Sequence, residues 1–213
     1  MSEFPSESSD RSPATWRGAG VVVLSGPSGV GKTTVERFLL AGNVGDETNG
    51  DSLWIVKSVS ATTRAPRFGE VNGVDYWFLS PDDFCVRRER GEFLECFEVF
   101  GRGVWYGTLC SEVLKKLAVG CRVLLTIDVQ GGRKVIAEYP EAESFFLMPP
   151  DMVELERRLR GRGSDTDTEI AARLRTAERE IAAADVYRHH IVADESPERI
   201  AAGIRSILVG ENE

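Results

Sequence analysis

Histidine is nearly absent: His189 and His190 are the only two in 213 residues, which excludes a histidine-rich metal centre. Cysteine is sparse as well. Cys85, Cys96, Cys110 and Cys121 lie far apart with no C-x-x-C pair. Neither a zinc ribbon nor a disulfide framework is expected, and the pattern predicts free thiols in a reducing cytoplasm. No run approaches the ~18 apolar residues of a membrane span. The opening stretch, MSEFPSESSDRSPATWRGAG, lacks the apolar core of a secretory leader. Its serine, proline and acid content predicts a flexible tail over 1–18. Basic charge is in deficit, with 26 Lys and Arg against 34 Asp and Glu and a net charge of −8. A protein that coats nucleic acid or an anionic membrane would carry a basic face, so neither partner is expected. A small anionic ligand stays open, because a local arginine cluster can dominate one cleft.

What is present describes a globular chain, 42% hydrophobic and 28% charged, long enough for one domain with a sizeable core. Short β-branched runs alternate with helical patterns. VVVLS at 21–25 predicts a buried strand, and a helix follows from Lys32 to about Leu40. LWIVKSVS and VDYWFLS predict strands. Ser80-Pro81-Asp82-Asp83 supplies an N-cap, a first-turn proline and early acids for a helix. GEFLECFEVFGRGVWYGT predicts a hairpin turning near Gly101–Gly103, and a helix over Ser111–Val119 follows. CRVLLTID predicts a second buried strand ending at Asp128, with a helix near Gly132–Glu138. SFFLM and HHIVAD predict two more strands. Asp151 with Glu154, and Thr166 with Glu169, have capping-box spacing. Ser196-Pro197 opens a terminal helix. Strand–helix alternation implies an α/β sandwich on a parallel sheet. Residues 58–108 break it with consecutive strands and predict a small inserted lobe.

Gly26-Pro27-Ser28-Gly29-Val30-Gly31-Lys32-Thr33 fits G-x-x-x-x-G-K-[ST] without a mismatch, between a strand and a helix. Glycines let backbone N–H groups turn inward around a polyphosphate, and the helix N-terminus adds its partial positive charge. Lys32 is expected to reach the β- and γ-phosphates. Thr33 would offer its hydroxyl to Mg²⁺, with Thr34 beside it. Asp128 after an apolar strand suits the carboxylate that holds the metal directly or through water, although acids end many strands. The loop does not name the acceptor: water, a protein or a small molecule all fit.

The segment SVSATTRAPRFGEVNGVDYWF, 58–78, gathers Ser60, Arg64, Arg67, Glu70 and Tyr76. Two arginine forks with hydroxyl donors can hold a phosphate monoester. A solvated charged loop would show the same spacing.

In that segment the sequence resembles the guanylate kinase family. The resemblance rests on LSGPSGVGKTT, SVSATTRAPRFGEVNGVDYWF, GEFLECFEVFG, YGT, IDVQG and RRLRGRG, in the family's order over about residues 20–208. It implies a P-loop NTPase fold, a three-layer α/β/α core with a parallel sheet, an inserted small mixed β GMP-binding lobe and a helical lid. The implied boundaries are 19–57 and 109–208 for the core, about 58–108 for the lobe and about 158–175 for the lid. The implied reaction is Mg²⁺-dependent transfer from ATP to GMP or dGMP. Ser60, Arg64, Arg67 and Tyr76 match the GMP phosphate site, with Glu70 orienting the arginines. Glu95 matches the guanine-binding glutamate, Thr108 the hydroxyl residue at O6, and Tyr106 a further GMP contact. Guanine presents N1–H and the N2 amino group side by side, and a carboxylate accepts from both. Arg158, Arg162 and Arg173 match the lid arginines that close over the triphosphate.

Three departures stand out. Thr126 replaces the first acid of the family's DID, the GRGVWYG step is longer, and Ala193 replaces an asparagine near the adenine pocket. Two rivals share parts of the pattern. A non-catalytic phosphopeptide-binding module typically has a degraded P-loop, and a sugar-phosphate kinase needs no Glu95 with Thr108. The sequence carries no signal of oligomeric state.

Overall fold

The computed structural model describes residues 20–42, 54–99, 103–161 and 166–210. The expected tail, most of the 41–52 loop and the tip of the hairpin lie outside them. Five parallel strands form the main sheet: β1 (Val21–Ser25), β2 (Ile55–Lys57), β7 (Arg122–Thr126), β8 (Glu143–Met148) and β9 (His189–Val192), in the order β2-β7-β1-β8-β9. A second, four-stranded sheet has the order β4-β3-β6-β5. It is built from β3 (Ala61–Thr62), β4 (Trp77–Phe78), β5 (Phe93–Val99) and β6 (Val104–Leu109), with both parallel and antiparallel pairs.

The period of two along the central strands builds the layers. Val22, Leu24, Leu124, Phe145 and Leu147 face one way, onto Val35 and Leu39 of α1 (Lys32–Ala41) and Ile204 and Leu208 of α7 (Pro197–Val209). Val21, Val23, Val123, Leu125 and Phe146 face the other. They meet Val113 of α3 (Cys110–Ala118), Val135 of α4 (Val129–Glu138), Tyr139 and Tyr187. Leu94 of β5 joins this second cluster, which brings the small sheet against α4. Helix α2 (Pro81–Glu89) covers the small sheet through Phe84, which stacks on Phe93 with ring centroids 4.4 Å apart. Leu155 and Leu159 of α5 (Met152–Arg160) pack on Ile170 and Ala177 of α6 (Asp167–Ala182).

Several expected elements change in extent. The strand expected over 74–80 shrinks to two residues because side chains shape the approach to it. Asp75 Oδ2 accepts from Val71 N at 2.7 Å and Asn72 Oδ1 from Phe78 N at 2.9 Å, in competition with a ladder. The strand expected over 53–60 keeps only Ile55–Lys57 before the chain crosses to the small sheet. Helix α4 starts three residues early, and β7 stops at Thr126. Asp128 is therefore not a strand end but the N-cap, accepting from Gly131 N at 2.8 Å. Asp151 caps α5 through Glu154 N, but the reciprocal half of the box is missing. Glu154 instead binds Arg157 and Arg158, three and four residues on. At Thr166 and Glu169 both halves form.

Candidate active site

The phosphate loop leaves β1 at the centre of the parallel sheet, at the carboxyl ends of the strands, where open α/β sheets bind ligands. Gly26 has φ 147°, and a Cβ there would lie 2.5 Å from the Leu147 carbonyl, so only glycine lets the loop pass β8 this closely. Gly31 caps α1 in the left-handed region and contributes no side-chain hydrogen bond. The first turn of α1, at the positive end of the helix dipole, therefore carries no side-chain cap. Lys32 Nζ lies over the loop, donating to the carbonyls of Gly26 at 2.5 Å and Pro27 at 3.1 Å. Thr33 is exposed in the first turn; Thr34 is half-buried beside it.

Two helical arginines reach this loop. Arg173 of α6 donates from Nη1 to Ser28 Oγ at 3.1 Å. Arg158 of α5 donates from Nη1 to Val30 O at 3.0 Å and from Nη2 to Ala193 O at 2.9 Å, with Nε on Glu154 at 2.7 Å. Arg158 is thus a strut between the phosphate loop and the segment after β9. Arg162 lies outside the described residues. Asp128 is exposed, and its Oδ1 accepts from Gly131 N.

The second cluster stands on the small sheet. Glu95 of β5 is 4% exposed, and Thr108 Oγ1, opposite it on β6, donates to Oε1 at 2.7 Å. Burial pushes the Glu95 carboxyl up to about 7 despite the Thr108 bond, and the negative charge of Asp128 pushes the same way. Its Oε2 lies 3.0 Å from where a Cβ on Gly131 would stand. Asp128 Oδ1 lies 3.4 Å from the same point, so both carboxylates border the side-chain-free flank of Gly131.

Arg64 is almost fully committed. Its Nη1 and Nη2 fork onto Glu70 at 2.9 and 2.8 Å, Nη1 also donates to Ala65 O at 2.7 Å, and Nε donates to Tyr106 Oη at 3.1 Å. The guanidinium lies 5.4 Å from the Tyr76 ring centroid, and Tyr76 meets Tyr106 edge-on at 5.8 Å. The Arg64 fork, followed by the Arg67 backbone amide, pulls the Glu70 carboxyl down to about 2. The Arg67 side chain is exposed. Ser60 is half-buried, and its carbonyl accepts from Trp77 N at 2.8 Å.

The structure thus gathers Gly26 to Thr34 with Arg158 and Arg173 in one group. Arg64, Glu70, Tyr76 and Tyr106 form a second, and Glu95 with Thr108 lies against α4 and Asp128. Two residues escaped the sequence. Glu180, two turns along α6 from Arg173, is a part-buried carboxylate in the field of Lys32 and Asp128, and burial raises its pKa. Ser25 ends β1 with its hydroxyl 3.2 Å from Ile127 O. The seven-residue spacing from Arg173 to Glu180 was a usable signal for the first.

A family model described as guanylate kinase matches residues 19–209. A guanylate kinase of Trichormus variabilis is 46% identical over 175 residues, covering 82% of this chain and 82% of its own. One of Bifidobacterium longum is 44% identical over 195 residues, covering 90% of this chain and 94% of its own. Among solved structures, the guanylate kinase of Anaplasma phagocytophilum superposes with a TM-score of 0.67 at 35% identity. That match covers 91% of this chain and 86% of the other. Family model, sequence identity and superposition agree, and the chain belongs to the guanylate kinase family.

Proposed function

We propose that this guanylate kinase uses the two clusters as separate pockets, one for the ATP triphosphate and one for GMP. The observation that carries the assignment is the buried Glu95 carboxylate, held by Thr108 and facing α4. It suits guanine, whose N1–H and N2 amino group donate in parallel. AMP presents no such donor pair, and one bidentate base contact discriminates by about 1–3 kcal/mol.

The GMP phosphate would sit beside Arg64 on donors the pair with Glu70 leaves over. Of the five guanidinium protons of Arg64, two go to Glu70, one to Ala65 and one to Tyr106. One Nη2 proton remains. Tyr106 accepts from Nε, so its own proton is available to the phosphate. Tyr76 and Ser60 add hydroxyls, and Arg67 adds a second guanidinium from the exposed loop.

On the donor side, Lys32 would leave its loop carbonyls for the β- and γ-phosphates, and the α1 amides would cradle them. Arg173 already touches Ser28 and would move onto the transferring group together with Arg162. Arg158 would border the nucleotide while bracing the loop. Phosphoryl transfer through a loose transition state asks mainly for alignment and charge neutralisation. These residues supply both without a general base. Closure of the 58–108 lobe and the 158–175 lid over the core would exclude water and so protect ATP from hydrolysis.

Thr33 and Asp128 are exposed oxygen donors, and among the described residues no three His, Cys, Asp or Glu side chains cluster as a metal cage. That set fits Mg²⁺, which takes most of its ligands from water and phosphate. Held there, Mg²⁺ would neutralise charge on the β- and γ-phosphates. No helix of the described residues is long and apolar enough to cross a membrane. We place the enzyme in the cytoplasm, with the free nucleotide pool.

An ADP-release assay with GMP, dGMP, AMP, UMP and ribose bisphosphate tests the assignment. Turnover is expected with GMP and dGMP alone. Glu95→Gln should erode the preference for GMP over AMP while ATP affinity holds; an unchanged preference would remove Glu95 from the base pocket.

A further inference from the structure

Tyr187, between the 3-10 turn Ala184–Val186 and β9, has no part in either proposed pocket, yet it meets the turn that carries Asp128. The residue is 4% exposed, and its ring lies edge-on to Phe146 at 5.1 Å. Its phenol donates to Val129 O, in the first turn of α4, at 3.3 Å. The same oxygen is hydrogen-bonded to the Ser25 side chain, and burial pushes the phenol up to about 12, so it stays a neutral donor.

Gly132 makes the approach possible. A Cβ at that position would stand 2.0 Å from Tyr187 Oη and 2.7 Å from Ser25 Oγ. The phenol thus occupies a notch in the helix that any other residue would fill. Ser25 directly precedes the phosphate loop, and its hydroxyl lies 3.2 Å from Ile127 O and 3.4 Å from Asp128 O. A continuous run of polar atoms therefore links the Asp128 turn, at both its ends, to the foot of the loop.

We propose that Tyr187 is a positioning residue: seated in the Gly132 notch, its hydroxyl locks the Asp128 turn to Ser25 and so fixes that carboxylate against the phosphate loop. The inference rests on the assignment of Asp128 to the cation. The ring body supplies packing, which phenylalanine would keep; only the hydroxyl enters the polar run. Groups that orient a metal ligand commonly alter metal affinity by about 10- to 100-fold when removed.

Calorimetry on the full chain separates the possibilities, with ATP titrated in Mg²⁺ and in EDTA. Tyr187→Phe should cut the Mg²⁺-dependent gain in ATP affinity about tenfold, leaving the EDTA value and GMP affinity unchanged. Gly132→Ala, which displaces the phenol without removing it, should do the same. Asp128→Asn is the control. If Asp128→Asn keeps the Mg²⁺-dependent gain, the Asp128 assignment fails and takes this inference with it. If Asp128→Asn loses the gain while Tyr187→Phe and Gly132→Ala keep it, the inference alone is overturned. It is overturned as well if the two variants weaken ATP equally with and without Mg²⁺, because that is the signature of packing.

Discussion

Glu70 grips Arg64 by both terminal nitrogens, Nη1 to Oε2 at 2.9 Å and Nη2 to Oε1 at 2.8 Å, so the Nη1–Nη2 edge of the guanidinium is occupied by its own neighbour. The pair sets how Arg64 presents its remaining Nη2 proton. Glu70→Gln keeps one acceptor but loses the charge and the symmetric fork. GMP KM is expected to rise about 10-fold, as for loss of a charge-assisted bond, with kcat within about twofold. Steady-state kinetics at saturating ATP checks this, and a fall in kcat with unchanged KM would place Glu70 elsewhere in the cycle. Because Arg64 holds the Glu70 carboxyl near 2, the pair persists above the ordinary carboxylate range and is lost only as pH falls toward 2. Changes in GMP affinity between pH 6 and 8 therefore do not come from Glu70.

Glu95 titrates in the opposite sense. Burial raises its carboxyl from 4.5 to about 7. Between those values the native state keeps a proton that the unfolded chain has released. Wild-type stability should thus fall as pH rises through the window and level off above it. Glu95→Gln can still accept from Thr108 and has no charge to bury. It should be more stable than wild type by about 3 kcal/mol at pH 8, with the gap closing toward pH 4.5. Urea denaturation at pH 5 and pH 8 reads the difference. A gap of the same size at both pH values would show that burial does not strain this carboxylate. A gain in stability with a loss of GMP preference is the usual exchange at a strained site.

Lys32 is the cation that the α1 N-terminus holds over the loop. Lys32→Ala should lower kcat by about 10²–10³-fold, the scale for removing one preorganised group that stabilises transition-state charge. GMP affinity should stay unchanged, since Lys32 Nζ donates to carbonyls of the phosphate loop itself, those of Gly26 and Pro27. Single-turnover kinetics with calorimetry for GMP separates the two effects. Turnover at the wild-type rate would contradict the assignment of the loop.

The phosphate loop was legible because its chemistry is local: eight consecutive residues between a strand and a helix fix the backbone that does the work. The parallel sheet was legible for a similar reason, since each buried run is continuous. The α4 site was not. Glu95 meets Gly131, and Tyr187 meets Gly132, across separations that no periodicity reports. A Gly-Gly pair inside a helix reads only as weak propensity until its neighbours are seen. Asp128 was found as a residue but misplaced as a strand end, because cap and strand terminus look alike in VLLTID. The strand expected over 74–80 came out too long because Asn72 and Asp75 spend their side chains on backbone amides. Arg158 was legible as one of a run of arginines, but not as a strut, since its partners Val30 and Ala193 come from opposite ends of the chain.

That strut has a measurable consequence. Arg158 joins two carbonyls with one planar group, Val30 O at 3.0 Å and Ala193 O at 2.9 Å, while Glu154 orients it. An ammonium is a compact point donor without the planar fork that spans these two carbonyls. Arg158→Lys keeps the charge near the triphosphate but frees the phosphate loop from the segment after β9. A purely electrostatic contact with ATP predicts near-normal KM for the lysine variant and a large loss only for Arg158→Ala. A bracing role predicts that both substitutions raise ATP KM to a similar extent, about 5- to 10-fold for one or two such bonds in a partly exposed setting. It also predicts faster exchange of the loop amides in both variants before any nucleotide is added. Hydrogen exchange of residues 26–33 in the free enzyme decides the matter, because it reports the bracing with no phosphate to attract.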